Sequence, residues 1–222
     1  MFFRRTPAPD ARSERWRAFA ERLELVDAND LTERIRRWLD LDVATLEPVY
    51  ALRREGLPTA YLFDARSERR GPSGVVTSVR TTCLVRSDAL IARAAFKALP
   101  RQDKVLESLQ ASRSGAVRLA FASDPGFDER VSVYARDGDG AEVLLTPPVR
   151  GVLRRLLVDR DAPGVGVVVG ERHVVTSFAG GDEGALGTLE QLLTDTLSLV
   201  SLLPAVQRAH DEVTPDDLLD LA

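Results

Sequence analysis

The sequence contains very little cysteine and histidine, the residues on which zinc sites and most nucleophile–base pairs depend. Of 222 residues, one is cysteine and two are histidine. The single cysteine, Cys83, cannot form an internal disulfide and leaves no framework for a cysteine-based zinc site. Zinc sites need three or four ligands, more than two histidines supply. We therefore expect no metal and no cofactor.

Long hydrophobic runs are also missing. The opening residues, MFFRRTPAPDARSERW, lack the apolar stretch of about 7–15 residues found in a secretory signal. The most apolar stretch, Leu186–Leu203, contains Glu190 and Asp195 and separates into an apolar and a polar side. That separation predicts an amphipathic helix and no transmembrane segment. With its single cysteine, the sequence predicts a cytoplasmic protein.

Basic charge is supplied almost entirely by arginine, with 28 Arg and 2 Lys, and the net charge is −4. Residues 1–100 hold 18 basic and 14 acidic groups, whereas residues 101–222 hold 12 and 20. The acidic total and the scarcity of aromatics argue against nucleic acid as a partner. The uneven charge fits a solvated surface with ordinary variation. The alternative is a basic N-terminal surface that contacts an acidic partner or the acidic half of the chain itself. If there is a partner, we expect it to be a protein. Homo-oligomerisation stays open.

Apolar periodicity predicts two helices near the start of the chain. Trp16 and Phe19 lie on one stripe of a helix over Arg12–Leu25. Asp30 can cap a second helix, which carries Trp38 on its stripe. We expect both helices to pack on the main body or on each other.

From Pro48 onward, the apolar periodicity changes from that of a helix to that of a strand. Val49–Arg54 and Ala60–Ala65 predict a hairpin. Val75–Val85 alternates as a half-buried strand, with Cys83 on one face and Arg80 on the other, and one face of such a strand can lie in water. The other predicted elements are a helix from Ser87 to near Pro100, strands over Val117–Phe121 and Phe127–Ala135, a turn at Asp137–Gly140, a helix capped by Thr146, a hairpin of Val165–Val169 with His173–Phe178, and a last helix over Ala185–Leu203.

This order of elements predicts an α+β fold. We expect a mainly antiparallel sheet built from hairpins, with helices packed mostly on one face and an N-terminal helical pair. Three segments are predicted: residues 1–45 as a helical segment docked on the core, residues 46–205 as the α+β core domain, and residues 206–222 as an acidic C-terminal tail.

One basic cluster stands out in the stretch Arg66–Gly74, which we interpret as a polar loop. Arg66, Arg69 and Arg70 carry guanidinium groups that bind phosphate or carboxylate well. These three residues are our candidate contact with an anion or a partner. The alternative is a solvated loop without a ligand.

Two glycine-rich stretches resemble ligand loops. Gly164–Gly170, GVGVVVG, has its third glycine one position too late for a dinucleotide fingerprint and is followed by a predicted strand instead of a helix. Asp137–Glu142, DGDGAE, lacks position five of a calcium loop, and its twelfth residue is Pro148. We interpret the first stretch as a buried strand with a hairpin turn and the second as a solvated hairpin turn.

No motif for nucleophilic catalysis is present. His173 and Ser177 share a strand face about 13 Å apart, too far for a nucleophile–base pair. Cys83 lies on a largely apolar strand face, where a thiol is usually inert. Acid–base catalysis by carboxylates that the fold brings together stays open as an alternative.

Several segments resemble a bacterial family known as DUF3137, a domain of unknown function. They are RWRAFAERLEL, the strand ending in YLFDAR, the strand VVTSVRTTCLVR, and the run FDERVSVYARDGDGAEVLLTPPVRGVLRRLL. The matching features are Phe63-Asp64, Val133-Tyr134 and Leu145-Thr146-Pro147, and the resemblance covers about residues 12–203. It implies a bacterial protein of the same fold. It implies no activity and no catalytic residues.

We arrive at three hypotheses for function. The first is a non-catalytic interaction or regulatory domain, which the absence of a motif-borne site favours. The second is an enzyme with a site assembled from dispersed carboxylates and arginines, near Asp64 and the Arg66–Arg70 stretch. The third is a structural protein that self-associates through its leucine-rich last helix.

Overall fold

The computed structural model describes residues 11–39, 44–71, 74–88, 90, 94–101, 115–160, 162–180 and 185–212. The helices in this part of the chain are α1 Ala11–Arg22, α2 Thr32–Leu39, α3 Pro125–Asp128, α4 Gly138–Leu144, α5 Pro147–Arg154 and α6 Ala185–Glu212. A 3₁₀ turn over Asn29–Leu31 precedes α2, and a π-helical turn over Arg155–Asp159 extends α5.

Nine strands in the described residues form one sheet in which every neighbouring pair is antiparallel. Their bounds are β1 Val26–Asp27, β2 Ala44–Leu52, β3 Thr59–Gly71, β4 Gly74–Arg86, β5 Phe96–Pro100, β6 Val117–Leu119, β7 Val131–Ala135, β8 Gly166–Val169 and β9 His173–Ala179. The order across the sheet is β1-β2-β3-β4-β9-β8-β5-β7-β6. The protein is therefore an α+β protein, as its sequence predicts.

The longest hairpin is formed by β3 and β4. Thirteen residue pairs join these strands, from Thr59 opposite Arg86 to Gly71 opposite Gly74. The prediction of a polar loop from Arg66 is therefore wrong, because β3 continues to Gly71. Polar residues suit this strand since its outer part is exposed, as are Val75 at 58% and Val76 at 59% on β4.

Two other local predictions are wrong. The predicted helix ending near Pro100 gives way to β5, where Phe96 and Ala98 are buried between β7 and β8. The predicted turn at Asp137–Gly140 begins helix α4, because the Asp137 carboxylate accepts a hydrogen bond from Gly140 N and caps the helix. Pairing with neighbouring strands determines the structure of the first segment, and the side-chain cap determines that of the second. Apolar periodicity alone reveals neither.

The strand predicted from Phe127 begins later than expected. Residues Pro125–Asp128 form the short helix α3, capped by Asp124, and β7 begins at Val131. Helix α5 begins at Pro147, as predicted, but the Thr146 side chain makes no capping hydrogen bond.

Helix α6 is the principal cover of one face of the sheet, which we call the helical face. Leu189, Leu199 and Leu203 are fully buried and pack with Leu62 and Cys83 of the strands beneath. At about 1.5–3 kcal/mol for each buried leucine, this contact is a large part of the fold's stability.

The prediction that Asp195 faces water on α6 is wrong. Asp195 is 4% exposed, and its carboxylate accepts hydrogen bonds from Arg155 Nε at 3.2 Å and Arg160 Nη2 at 2.8 Å. Packing against the π-helical turn covers this side of α6, and the two guanidinium groups satisfy the buried charge.

The two tryptophans anchor the N-terminal helices on opposite faces of the sheet. Trp16 of α1 is 0% exposed and belongs to the cluster of the helical face. Ile35 and Trp38 of α2 pack instead with Phe63 and Leu84, whose side chains point to the other face. Successive strand residues alternate between faces, so the two clusters are separated by the sheet itself.

No helix in the described residues is long and apolar enough to cross a membrane. The division of the chain after residues 45 and 205 stays a prediction.

Candidate functional site

The face of the sheet opposite α1 and α6 is only partly covered, and we call it the open face. Directly paired residues of antiparallel strands share a face. The pairings Arg80–Ala179, Thr82–Ser177 and Leu84–Val175 therefore place these six residues together. Val168 pairs with Val175, and Lys97 pairs with Val168, which continues the same face across β8 and β5.

Helix α2 covers one end of the open face with Trp38. The indole ring lies 5.7 Å from the ring of Tyr61, and the guanidinium of Arg86 lies 4.3 Å from its centre. Arg34 of the same helix approaches the ring at 5.1 Å. Cation–π attraction from two guanidinium groups helps to hold the Trp38 ring in place, so Trp38 forms a wall at this end of the face.

Beside this wall lies an apolar cavity of about 320 Å³. Its lining consists mainly of aromatic and aliphatic side chains, namely Trp38, Leu39, Phe63, Ala65, Val168 and Val175. His173 also contributes, and burial together with nearby Arg86 lowers its pKa, with Glu171 opposing this effect. The imidazole is therefore uncharged near neutral pH, which matches the apolar character of the cavity.

A second cavity, of about 580 Å³, adjoins the first and is basic. Arg80 and Lys97 lie on its walls with the backbone of Gly164–Gly166. Arg80, Val168 and Ser177 line both cavities, so the two form one continuous depression. We call it the sheet-face groove.

Arg80 is positioned by neutral groups. Its Nη2 donates to the carbonyl oxygens of Gly164 at 2.8 Å and Ser177 at 3.0 Å, and its Nε donates to Ser177 Oγ at 3.1 Å. Partial desolvation lowers the pKa of Arg80. The guanidinium is thus fixed in place, while no carboxylate among the described residues neutralises it.

Lys97 is the second cation of the groove. Desolvation, and then the charge of Arg80, lower its pKa. Within the described part of the chain Lys97 has no ion pair. Two cations that repel each other favour an anion between them, because the anion removes both the repulsion and the unpaired charge.

At two glycines of the GVGVVVG stretch, side chains of the groove approach the backbone closely. A Cβ at Gly166 would lie 2.9 Å from Leu99 Cδ2, and one at Gly170 would lie 2.6 Å from the His173 ring. The stretch is a strand and turn, as predicted, and its glycines allow close packing of side chains.

A separate cavity of about 700 Å³ contains Asp64 and Arg66 between α1, α2 and β2. The Asp64 carboxylate accepts hydrogen bonds from Arg12 Nε at 2.6 Å, Trp16 Nε1 at 2.8 Å and Thr81 Oγ1 at 2.9 Å. Its side chain is only 6% exposed. With hydrogen bonds from Arg12 and Trp16, Asp64 ties α1 to the sheet.

The three predicted contact residues, Arg66, Arg69 and Arg70, all lie on β3. Arg66 borders the Asp64 cavity, whereas Arg70 pairs with Val75 near the hairpin tip, about 13 Å further along the strand. The side chain of Arg69 lies outside what the structure describes. Anion binding by these residues stays a prediction, and the structure does not bring Arg66 and Arg70 together.

The sequence reasoning missed the two cations of the groove. Alternation did place Arg80 on the face opposite Cys83, but we interpreted that face as solvated. Lys97 was assigned to a helix, so its position opposite Val168 was not visible. An unusual signal existed, since Lys97 is one of only two lysines in the chain.

Cys83 fits its predicted inert role. It is fully buried, and burial raises the pKa of its thiol to about 12. Among the described residues no group of three histidine, cysteine, aspartate or glutamate side chains could hold a metal ion.

No protein-family model, no curated protein and no solved structure matches this chain.

Proposed function

We propose that this protein is a non-catalytic interaction domain that binds an acidic segment of a protein partner in the sheet-face groove. The observation that carries the proposal is the pair Arg80 and Lys97, two partly desolvated cations without a carboxylate partner in the described residues. A carboxylate between them supplies the missing charge.

The apolar half of the groove indicates that the partner's segment also carries apolar side chains. Trp38, Phe63 and Val175 lie next to the cations on the same face. A partner that places a carboxylate on Arg80 and Lys97 also brings a neighbouring side chain against this apolar surface. The chemistry therefore fits a short segment that combines aspartate or glutamate with leucine-like residues.

The structure gives less support to the enzyme hypothesis and to the self-association hypothesis. Asp64, the carboxylate that the enzyme hypothesis names, is already bound by three donors. Self-association through the last helix would need a surface that Leu189, Val200 and Leu203 do not offer, because they are buried. The resemblance to DUF3137 implies no activity and adds nothing to the choice.

Binding of a synthetic peptide tests this function. We expect an acetylated hexapeptide of alternating Asp and Leu to bind the full chain at low salt, measured by calorimetry. The same peptide with Lys in place of Asp should not bind. Lys97→Met should weaken binding about fivefold, which corresponds to the loss of about 1 kcal/mol from one exposed ion pair.

Arg54→Met is the matched control, because it removes one positive charge at an exposed turn outside the groove. It should leave the affinity unchanged. Equal binding of the acidic and basic peptides, or equal weakening by Lys97→Met and Arg54→Met, would contradict the proposal.

A further inference from the structure

The outer part of the β3–β4 hairpin has no neighbouring strand on either side within the described part of the chain. β2 pairs with β3 only as far as Ser67, and β9 pairs with β4 only as far as Arg80. Beyond these points the hairpin continues to Gly71 and Gly74. The backbone N–H and C=O groups along such free edges can pair with another strand.

The two free edges differ in charge. On β3 the outer residues include Glu68 and Arg70, which are exposed, and charged side chains protect an edge strand from pairing. On β4 the segment Gly74–Ser78 contains no charged residue and no proline, and three of its five residues are β-branched. Its Val75 and Val76 are more than half exposed. The unprotected edge is therefore that of β4.

The direction of the backbone shows which groups lie on this edge. The C=O of Val79 accepts a hydrogen bond from Gly180 N at 2.9 Å, on the side of β9. Successive residues of a strand direct their backbone groups to opposite edges, so Thr77 and Val75 point to the same side as Val79. No described strand pairs with Thr77 or Val75 on that side. The edge thus offers two N–H and two C=O groups.

The free edge has the length of the strand segment that a second copy of the chain can add to it. Because Gly180 occupies the next position along the edge, an added strand has room beside Gly74–Ser78 only. In a second copy, β4 begins at Gly74 and pairs back to Gly71, so the chain leaves the edge there. An antiparallel pair centred on Val76 therefore covers these five residues in both copies and stops short of Gly180. A longer extended peptide would run into Gly180.

We propose that two copies of this chain pair antiparallel through the outer part of β4, with Val76 of one copy opposite Val76 of the other. In this register Thr77 of each copy exchanges two hydrogen bonds with Val75 of the other, which uses all the free groups of the edge. The charged residues of β3 lie on the outer strands of the resulting four-stranded ribbon. The contact is small beside the roughly 1,200–2,000 Å² of stable interfaces, so the dimer is weak and reversible.

The pairing also determines how the two sheets face. The two-fold axis between such antiparallel strands is perpendicular to the sheet, so the open faces of both copies lie on the same side. Two sheet-face grooves then lie side by side, and a partner with two acidic segments can occupy both. This consequence rests on the proposed function, whereas the pairing does not. Lys97→Met, which should weaken peptide binding, should leave the dimer unchanged.

Disulfide trapping in the full chain tests the register. Val76→Cys places two thiols in a directly opposed pair whose Cα atoms are about 4.5 Å apart, within the range of a disulfide. Thr77→Cys is the matched control, because the Cα atoms of this adjacent exposed residue would be about 8 Å apart across the axis. In a glutathione redox buffer, Val76→Cys should form a linked dimer at least about tenfold faster. The unmodified chain should stay unlinked, since Cys83 is fully buried.

Sedimentation equilibrium measures the dimer without a covalent link. Between about 10 µM and about 500 µM, we expect the average mass of the unmodified chain to rise above that of a monomer. Val76→Lys should abolish the rise, because two like charges would face each other in the pair. Val117→Lys makes the same change on β6, the exposed edge strand at the other end of the sheet, and should leave the rise unchanged.

Three results would overturn the proposal. The first is a monomer over the whole concentration range. The second is trapping of Thr77→Cys as fast as Val76→Cys, which would indicate random collision or another register. The third is the same behaviour of Val76→Lys and Val117→Lys, whether both keep the dimer or both lose it. None of these results bears on peptide binding in the groove, which the Asp-Leu hexapeptide tests separately.

Discussion

The two faces of the sheet use charge in opposite ways. On the helical face, buried carboxylates are matched: Asp64 accepts from Arg12, and Asp195 accepts from Arg155 and Arg160. On the open face the situation is reversed, because Lys97 has no ion pair in the part of the chain that the structure describes.

We relate the paired charges of one face to the stability of the fold and the unpaired cations of the other face to the proposed binding. Asp64 and Asp195, the two buried carboxylates of the helical face, are paired within the molecule, so removal of a partner would leave a buried charge unpaired. The cations of the open face lie in a depression where a ligand can reach them. Under the proposed function, the unpaired charge beside apolar surface on the open face is the part of the molecule that contacts the partner.

Replacing the two tryptophans should give the largest difference between the faces in the free energy of unfolding. Trp16→Ala should lower the free energy of unfolding by about 3–5 kcal/mol, because the ring is fully buried and its Nε1 donates to Asp64. Trp38→Ala, on the half-buried wall of the groove, should cost about 1–2 kcal/mol. Urea denaturation followed by circular dichroism measures both, and equal costs would remove the distinction between the faces.

Two adjacent valines of β8 should give a smaller difference in the free energy of unfolding, measured with the same substitution in the same strand. Val167 is 0% exposed on the helical face, and its neighbour Val168 is 39% exposed on the open face. Val167→Ala should cost about 2 kcal/mol, whereas Val168→Ala should cost less than about 1 kcal/mol. Since the substitution and the strand are the same, a Val168 variant as unstable as the Val167 variant would mean that the groove is part of the core.

The pH dependence of stability should show the smallest effect. The pKa of His173 is lowered in the folded protein, first by burial and then by Arg86. The unfolded chain therefore binds a proton first as the pH falls below about 6.5, and folding stability decreases through that window. His173→Gln should flatten this part of the curve, and an unchanged slope between pH 7 and pH 5 would show that the imidazole is fully hydrated.

The fold class follows from sequence because its signals are local. Alternation in β4 and β9 and the long apolar pattern of α6 depend on side chains within each element. The segment Phe96–Pro100 shows the limit of this reasoning, since its strand is created by pairing with β7 and β8. Asp195 shows the same limit, because two arginines from another element make its burial favourable.

The groove could be predicted only in part. The sequence places Arg80 on the face opposite Cys83, but it does not show that Lys97 lies on that face with two strands between them. It also does not show that α2 crosses the sheet to set Trp38 beside them. The groove is lined by six elements, α2 and five strands. Such a site depends on the order of strands in the sheet, and local periodicity carries no information about that order.

The hairpin of β3 and β4 has a consequence for how this protein can vary in length. Its outer pairs, from Glu68 opposite Thr77 to Gly71 opposite Gly74, extend past the pairing of β2 and β9. Residues can be gained or lost at this tip without disturbing the rest of the sheet. Since neighbouring residues point to opposite faces, such changes preserve the register only when both strands lengthen or shorten together.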